Sequence, residues 1–128
     1  MKKLEIVIKP DMLEDLKDLL NTCDVQGMMI TNIMGYGNQK GFKKSYRGTS
    51  YTVNFLPKIK VETITDDETA DIIIKLVTDR LTTDEIGGGK IFVYDVSDVI
   101  RIRTGETGSD VPLRTARYPL TVQHFSIY

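Results

Sequence analysis

Tryptophan is absent from the 128 residues, and cysteine and histidine occur once each, as Cys23 and His124. A single cysteine excludes an internal disulfide, and one cysteine with one histidine does not make a zinc framework. The lone histidine lies in the C-terminal tail, so no Ser-His-Asp or Cys-His pair can be assembled around it with conviction. No apolar run approaches the ~20 residues of a membrane span. The start, Met1-Lys2-Lys3-Leu4-Glu5, lacks the apolar stretch of a secretion signal. Neither charge predominates: 17 Lys and Arg against 18 Asp and Glu leave a net charge of -1, unlike the basic balance of most nucleic-acid binders. What is present is ordinary, with 41% hydrophobic and 27% charged residues. The length predicts one cytoplasmic, soluble domain, able to bury roughly two thirds of its unfolded surface.

The charges are segregated. Between Gly37 and Lys60 there are six basic residues (Lys40, Lys43, Lys44, Arg47, Lys58, Lys60) and no acid. Between Glu62 and Glu85 there are eight acids and only Lys75 and Arg80 as bases. This is either a solvated loop beside a solvated helix or a segment built to meet anions such as phosphate, a small carboxylate or an acidic partner.

Leu4, Ile6 and Ile8 alternate over Lys3–Lys9 and predict a strand, stopped by Pro10. Asp11 and Glu14 have capping-box spacing, and Met12, Leu13, Leu16, Leu19 and Leu20 form a helical stripe ending before Gly27, an expected turn residue. Met28–Tyr36 alternates again. Gly37–Asn54 has no usable period and reads as a loop of 18 residues, a length that is usually functional or disordered. Leu56–Thr65 returns to strand periodicity. Thr65 and Glu68 repeat the capping-box spacing before a second helical stripe, Ala70, Ile73, Ile74, Val77 and Leu81. A loop over 82–90, a dense strand over Lys90–Val96 and one short strand over Val99–Arg103 complete the order. The expected fold is α+β: a ferredoxin-like split βαβ (βαββαβ) with an antiparallel sheet, both helices on one face, a long loop between strands 2 and 3, and an extra short C-terminal strand and tail. The face without helices, with Val7, Ile33, Phe92 and Tyr94, then needs a cover, and subunit association is the simplest one.

Gly87-Gly88-Gly89-Lys90 is a possible phosphate cradle, because glycines let backbone amides approach an anion and Lys90 adds a point charge. The plainer alternative is a tight turn of flexible residues. It is not a Walker A motif, since Ile91 stands where Ser or Thr would bind magnesium. Arg101 and Arg103, two apart on the expected strand, would project from one face and suit a polyphosphate. Asp66-Asp67-Glu68 reads as helix-start acids rather than a metal cluster, and Cys23 as buried filler. Tyr46 and Tyr51 fall in the long loop, where modification or docking happens. An RNA-recognition module shares the element order, and Gly89–Tyr94 faintly echoes its stacking strand. The first strand, Leu4-Glu5-Ile6-Val7-Ile8, lacks the second aromatic motif that module needs.

Several segments together resemble one family: Met1-Lys2-Lys3 with Ile8-Lys9-Pro10, Gly35-Tyr36-Gly37-Asn38-Gln39-Lys40-Gly41, Tyr46-Arg47-Gly48, Tyr51, Phe55-Leu56-Pro57-Lys58, Gly87–Val93, and Arg101-Ile102-Arg103-Thr104-Gly105-Glu106. Over residues 1–108 the chain resembles the nitrogen regulatory PII signalling proteins. The resemblance implies a non-enzymatic homotrimer whose sheets line a central core, with ATP or ADP between subunits. It implies nucleotide contacts from Gly35, Gly37, Asn38, Gln39, Ile64, Gly87, Gly88, Gly89, Lys90, Arg101 and Arg103. It implies 2-oxoglutarate contacts from Gln39, Lys40, Gly41, Lys58 and Gly87, with Gln39 ligating Mg together with ATP and 2-oxoglutarate. The protruding loop 37–55 would dock on an ammonium channel, a glutamine-synthetase-related enzyme or a nitrogen regulator. The membrane would be met only through a channel partner, and nucleic acid not at all. Tyr51 matches a tyrosine that some members carry as a nucleotidylation site.

Two departures bear on the ligand. Asn38 stands where the family often has Arg, and Asp84-Glu85 precedes the glycine loop where a Gly-Lys pair is common, so two acids would weaken ATP binding or shift the ATP/ADP preference. A divergent adenine-nucleotide sensor or slow ATPase answering another signal is the alternative. Residues 109–128 extend beyond the resemblance, either as a native extension packing on the trimer or the nucleotide cleft, or as an added cloning tail.

Overall fold

The structure is a computed structural model that describes residues 1–25, 27–36, 42–46, 49–53, 55–82 and 88–108, the strands 42–46 and 49–53 through their backbone pairing. Strand β1 (Lys2–Ile8) leads through a single 3-10 turn (Pro10–Met12) into helix α1 (Leu13–Thr22). Strand β2 (Met29–Gly35), the hairpin strands β3 (Phe42–Tyr46) and β4 (Thr49–Val53), strand β5 (Leu56–Thr65), helix α2 (Asp67–Arg80) and strand β6 (Gly89–Asp95) follow. The main sheet has the order β2-β5-β1-β6, with every pairing antiparallel. This is the ferredoxin-like α+β arrangement expected from the alternation of periods.

The alternation also sets which face is buried. Leu4, Ile6 and Ile8 of β1 and Ile59 and Val61 of β5 join Leu16, Leu19 and Leu20 of α1 and Ala70, Ile73 and Val77 of α2 in one core. Both helices therefore cover the same sheet face. Each fully buried Leu or Ile side chain there contributes about 1.5–3 kcal/mol relative to exposure. Thr63 is buried in this layer without penalty, because its hydroxyl donates to the Gly27 carbonyl at 2.8 Å.

Four local expectations are corrected. Asp11 and Glu14 do not form a capping box: the 3-10 turn occupies Pro10–Met12, and Met12 is the N-cap of α1 without a side-chain cap bond. The α1 terminus is turned by Asp24, whose φ of 57° is left-handed, a conformation Asp tolerates better than most residues; Gly27 is not the residue that turns it. For α2 the cap is Asp66 rather than Thr65, its carboxylate accepting from the Thr69 amide at 2.7 Å; Asp67 and Glu68 are first-turn acids, as read. The expected strand over Val99–Arg103 is reduced to one bridge, Ile100 with Thr107. A turn follows Arg101, closed by the Gly105 amide on the Arg101 carbonyl (2.7 Å) and the Arg101 amide on the Glu106 carbonyl (2.8 Å). Gly105 at φ 71° makes that turn possible. The apolar Ile100 and Ile102 imitate strand alternation, yet Ile102 is 99% exposed, so no sheet face receives it.

The long connection between β2 and β5 contains a hairpin that periodicity did not reveal. Phe42 pairs with Val53 and Tyr46 with Thr49 in a separate two-stranded ribbon. The two strands, Phe42-Lys43-Lys44-Ser45-Tyr46 and Thr49-Ser50-Tyr51-Thr52-Val53, carry no apolar alternation, the signal by which the other strands were read.

Candidate functional site

The register brings several glycines and lysines to one end of the sheet. Gly35 ends β2 opposite Leu56, Lys58 lies two positions into β5, β1 ends at Ile8 with Lys9 following, and β6 begins with Gly89 opposite Ile8 and Lys90 opposite Val7. The long connection leaves the sheet and returns to it at this same end.

Lys58 is the most constrained cation there. It is only 7% exposed, and burial, then the neighbouring positive charge of Lys9, pushes its ammonium below the usual lysine range. Gly35 makes room for it: a Cβ on Gly35 would stand 3.0 Å from Lys58 Cγ and 3.4 Å from its Cε. A buried lysine whose charged form is disfavoured by burial would be stabilised by an anion brought close to it.

Gly89 is explained by the sheet itself. Its φ is 142°, and a Cβ there would meet the Val7 carbonyl oxygen at 2.8 Å. The close approach of β6 to β1 requires glycine whether or not a ligand binds, which weakens the inference from the glycine run to a phosphate cradle at this one position. Gly88 lies next to it. Gly88 and Gly89 also border an open groove of about 550 Å3 between α2 and β6.

The arginines stand apart from this cluster along the chain. Arg101 and Arg103 follow the opposite end of β6, where Lys2 pairs with Asp95 and the Val96 amide donates to the Met1 carbonyl. Seven strand residues span roughly 20 Å. The expectation that both guanidiniums project from one strand face is corrected: the turn leaves Arg101 at 9% exposure and Arg103 exposed. Ile64 is also toward the far end, opposite Lys3, eight positions beyond Leu56, the partner of Gly35. Gly37, Asn38, Gln39, Lys40, Gly41 and Gly87 lie outside the described residues, as do 109–128; Tyr51 is described only as a backbone position of β4, opposite Lys44.

Two features were missed from sequence. Lys9 stands beside Lys58; its position after the last residue of β1, across from the start of β5, was the available signal. The face without helices was read from Val7, Ile33, Phe92 and Tyr94, which do share it by register, but charged residues occupy its middle. Glu5 and Glu62 sit directly opposite each other, a repulsive pair on its own. Lys60 Nζ resolves it at 3.4 Å from a carboxylate oxygen of each. Tyr94 donates to Glu5, which, with Lys60, holds the Glu5 carboxyl below its ordinary range and raises the Tyr94 phenol. The Lys3 ammonium lies 4.5 Å from the centre of the Tyr94 ring. The face is therefore a charged network flanked by exposed aromatics, Phe92 at 46% and Tyr94 at 44%.

Among the described residues no group of three or more His, Cys, Asp or Glu could hold a metal ion, and no helix is long and apolar enough to cross a membrane. Lys9, Lys58 and Lys90 suit an anion at this end of the sheet, so a magnesium ion would fit here only as the companion of anionic ligand oxygens.

Fold and site together define a class: a ferredoxin-like α+β domain with a glycine-framed, lysine-rich sheet end from which a long arm departs. Residues 1–106 match the family described as Nitrogen regulatory protein P-II. The chain is 49% identical over 110 residues to the Nitrogen regulatory protein P-II of Rhizobium meliloti (strain 1021), covering 86% of this chain and 98% of that protein. It is 48% identical over 110 residues to the protein of the same name from Pasteurella multocida (strain Pm70), with the same coverage. It is 45% identical over 106 residues to Nitrogen regulatory protein P-II 1 of Escherichia coli (strain K12), covering 83% of this chain and 95% of that one. The chain belongs to the P-II family of nitrogen regulatory signal-transduction proteins.

Proposed function

We propose that this protein is a cytoplasmic, non-enzymatic sensor, peripheral at the membrane only when bound to a channel. In this reading residues 1–108 form a homotrimer that binds ATP or ADP between subunits and, with Mg-ATP, 2-oxoglutarate. Ligand occupancy then poses residues 37–55 against an ammonium channel, a glutamine-synthetase-related enzyme or a nitrogen regulator. The observation that carries it is the convergence of Gly35, buried Lys58 and Gly88–Lys90 at the sheet end from which that arm leaves. Lys58 would face a carboxylate of 2-oxoglutarate, and Gly87–Lys90 would hold phosphates. The expected magnesium ligand, Gln39, would add an amide oxygen to those of the ligands, a set suited to a hard cation.

The separation of Gly88–Lys90 from Arg101 and Arg103 by the length of β6 supports a site shared between copies, since a neighbour's arginines can complete a cleft that one protomer leaves open. The names of the relatives, all regulatory, support the non-enzymatic reading. Ligands would reset the arm only through their differential affinity for its two poses.

Calorimetric titration with ATP, magnesium and 2-oxoglutarate tests this. Binding of 2-oxoglutarate only in the presence of Mg-ATP is expected, and Lys58→Ala should weaken 2-oxoglutarate more than ATP. Heat from ATP alone, with none from 2-oxoglutarate, would reduce the protein to a nucleotide sensor. A monomer by gel filtration would remove the shared site altogether.

A further inference from the structure

We propose, on the basis of the homotrimer reading, that Lys60 is the residue on which assembly turns: it keeps the centre of the helix-free sheet face neutral, so that a second copy of this chain can cover it. Both helices pack on the other side of the sheet. By register this face presents Lys3 and Glu5 from β1, Lys58, Lys60 and Glu62 from β5, and Lys90 and Tyr94 from β6. From β2 it presents Met29, Thr31 and Ile33, none of them titratable. Lys58 and Lys90 lie toward the end assigned to anions. At the centre two cations, Lys3 and Lys60, stand with two carboxylates, Glu5 and Glu62, and their charges cancel.

A neutral centre offers little to a strongly acidic or basic partner, but identical copies can approach it without repulsion. The carboxylates also lie down on the sheet: the Glu5 and Glu62 side chains are only 15% and 18% exposed. Around them Met29, Phe92 and Tyr94 are exposed, the apolar and aromatic contacts that association uses. Lys60 makes this arrangement tolerable. Glu5 and Glu62 are directly opposed across β1 and β5, and Lys60 Nζ lies 3.4 Å from an oxygen of each. Without it the two carboxylates repel each other. In a symmetric assembly every copy brings the same pair, so the uncompensated charge is multiplied where the faces meet.

Sedimentation velocity on the full chain, on Lys60→Met and on Lys60→Met/Glu5→Gln/Glu62→Gln tests this, with circular dichroism of each sample as the check on folding. The natural chain should be a trimer from about pH 8 to about pH 5, because Tyr94 and Lys60 hold the Glu5 carboxyl below its ordinary range. Lys60→Met should need about tenfold more protein to assemble at the higher pH. It should recover at the lower pH, since one of two opposed carboxylates readily takes a proton. The triple variant, with no charge left to balance, should be a trimer throughout. Lys60→Met that assembles as well as the natural chain at about pH 8 would overturn the proposal, as would a folded Lys60→Met whose deficit does not change with pH. A triple variant that is not a trimer would also overturn it, by showing that Lys60 acts through packing; this holds even where Lys60→Met alone does not fold. A monomeric natural chain would instead remove the homotrimer reading itself.

Discussion

Replacing Gly89 by alanine separates the structural from the ligand-binding account of the glycine loop. Two costs add at this position. The backbone is held at φ 142°, where a residue with a side chain is strained by on the order of 1–3 kcal/mol. The new methyl would also lie 2.8 Å from the Val7 carbonyl oxygen. That contact is with backbone, so it cannot be relieved by a rotamer change; β6 must back away from β1 where Ile8 faces Gly89 and Val7 faces Lys90. The expected loss is therefore about 2–4 kcal/mol. With a urea slope of about 1–3 kcal/mol/M, the unfolding midpoint should fall by roughly 1 M or more. Circular dichroism at fixed protein concentration and without nucleotide reads this directly. Gly105→Ala is the control: its φ of 71° is strained but nothing lies within 4 Å of the added carbon, so it should cost only about 1 kcal/mol. A Gly89→Ala midpoint within error of the natural chain would refute the steric argument and return this glycine to the ligand.

Three further outcomes are expected. Asp66→Ala removes the acceptor of the Thr69 amide and should cost about 1 kcal/mol in urea unfolding, with Asp66→Asn recovering most of it. Glu5→Gln should destabilise at pH 7, because the folded state holds the Glu5 carboxyl below its ordinary value. That stability is present above the unfolded pKa and is lost as pH falls through the lower folded one, so the two chains should converge at low pH; a gap that persists there would refute the assignment. Lys58→Met removes a buried ammonium whose charged form the folded state disfavours, through burial and then Lys9. As pH rises from the lowered folded pKa toward the unfolded one, the unfolded chain binds more protons. The natural chain should then gain stability relative to the variant, and a difference flat with pH would contradict a buried cation.

Much of the fold was legible because a hydrophobic period reports burial wherever an element has one buried face. Leu4, Ile6 and Ile8, and Ala70, Ile73 and Val77, reached the core they predicted. Periodicity was silent over the ribbon of β3 and β4, whose sequence carries no apolar alternation, and misled where isolated isoleucines alternate in a turn, at Ile100 and Ile102. The α2 cap fell one residue later than expected, on Asp66 rather than Thr65, because neighbouring acids and hydroxyls at a helix start compete for the same amides; α1 has no side-chain cap, since the 3-10 turn over Pro10–Met12 precedes it.

For the site, residue type and motif in the sequence pointed to the family and nominated Gly35, Lys58, Gly88, Gly89 and Lys90. Their meeting depends on strand register, which pairs residues distant along the chain. Register also put Lys9 beside Lys58 and Lys60 between two opposed glutamates, and it assigned Gly89 to the sheet before any ligand. Local chemistry determined which groups this chain carries; only the three-dimensional pairing of its strands decided which stand together, because cross-strand distances are independent of separation along the sequence.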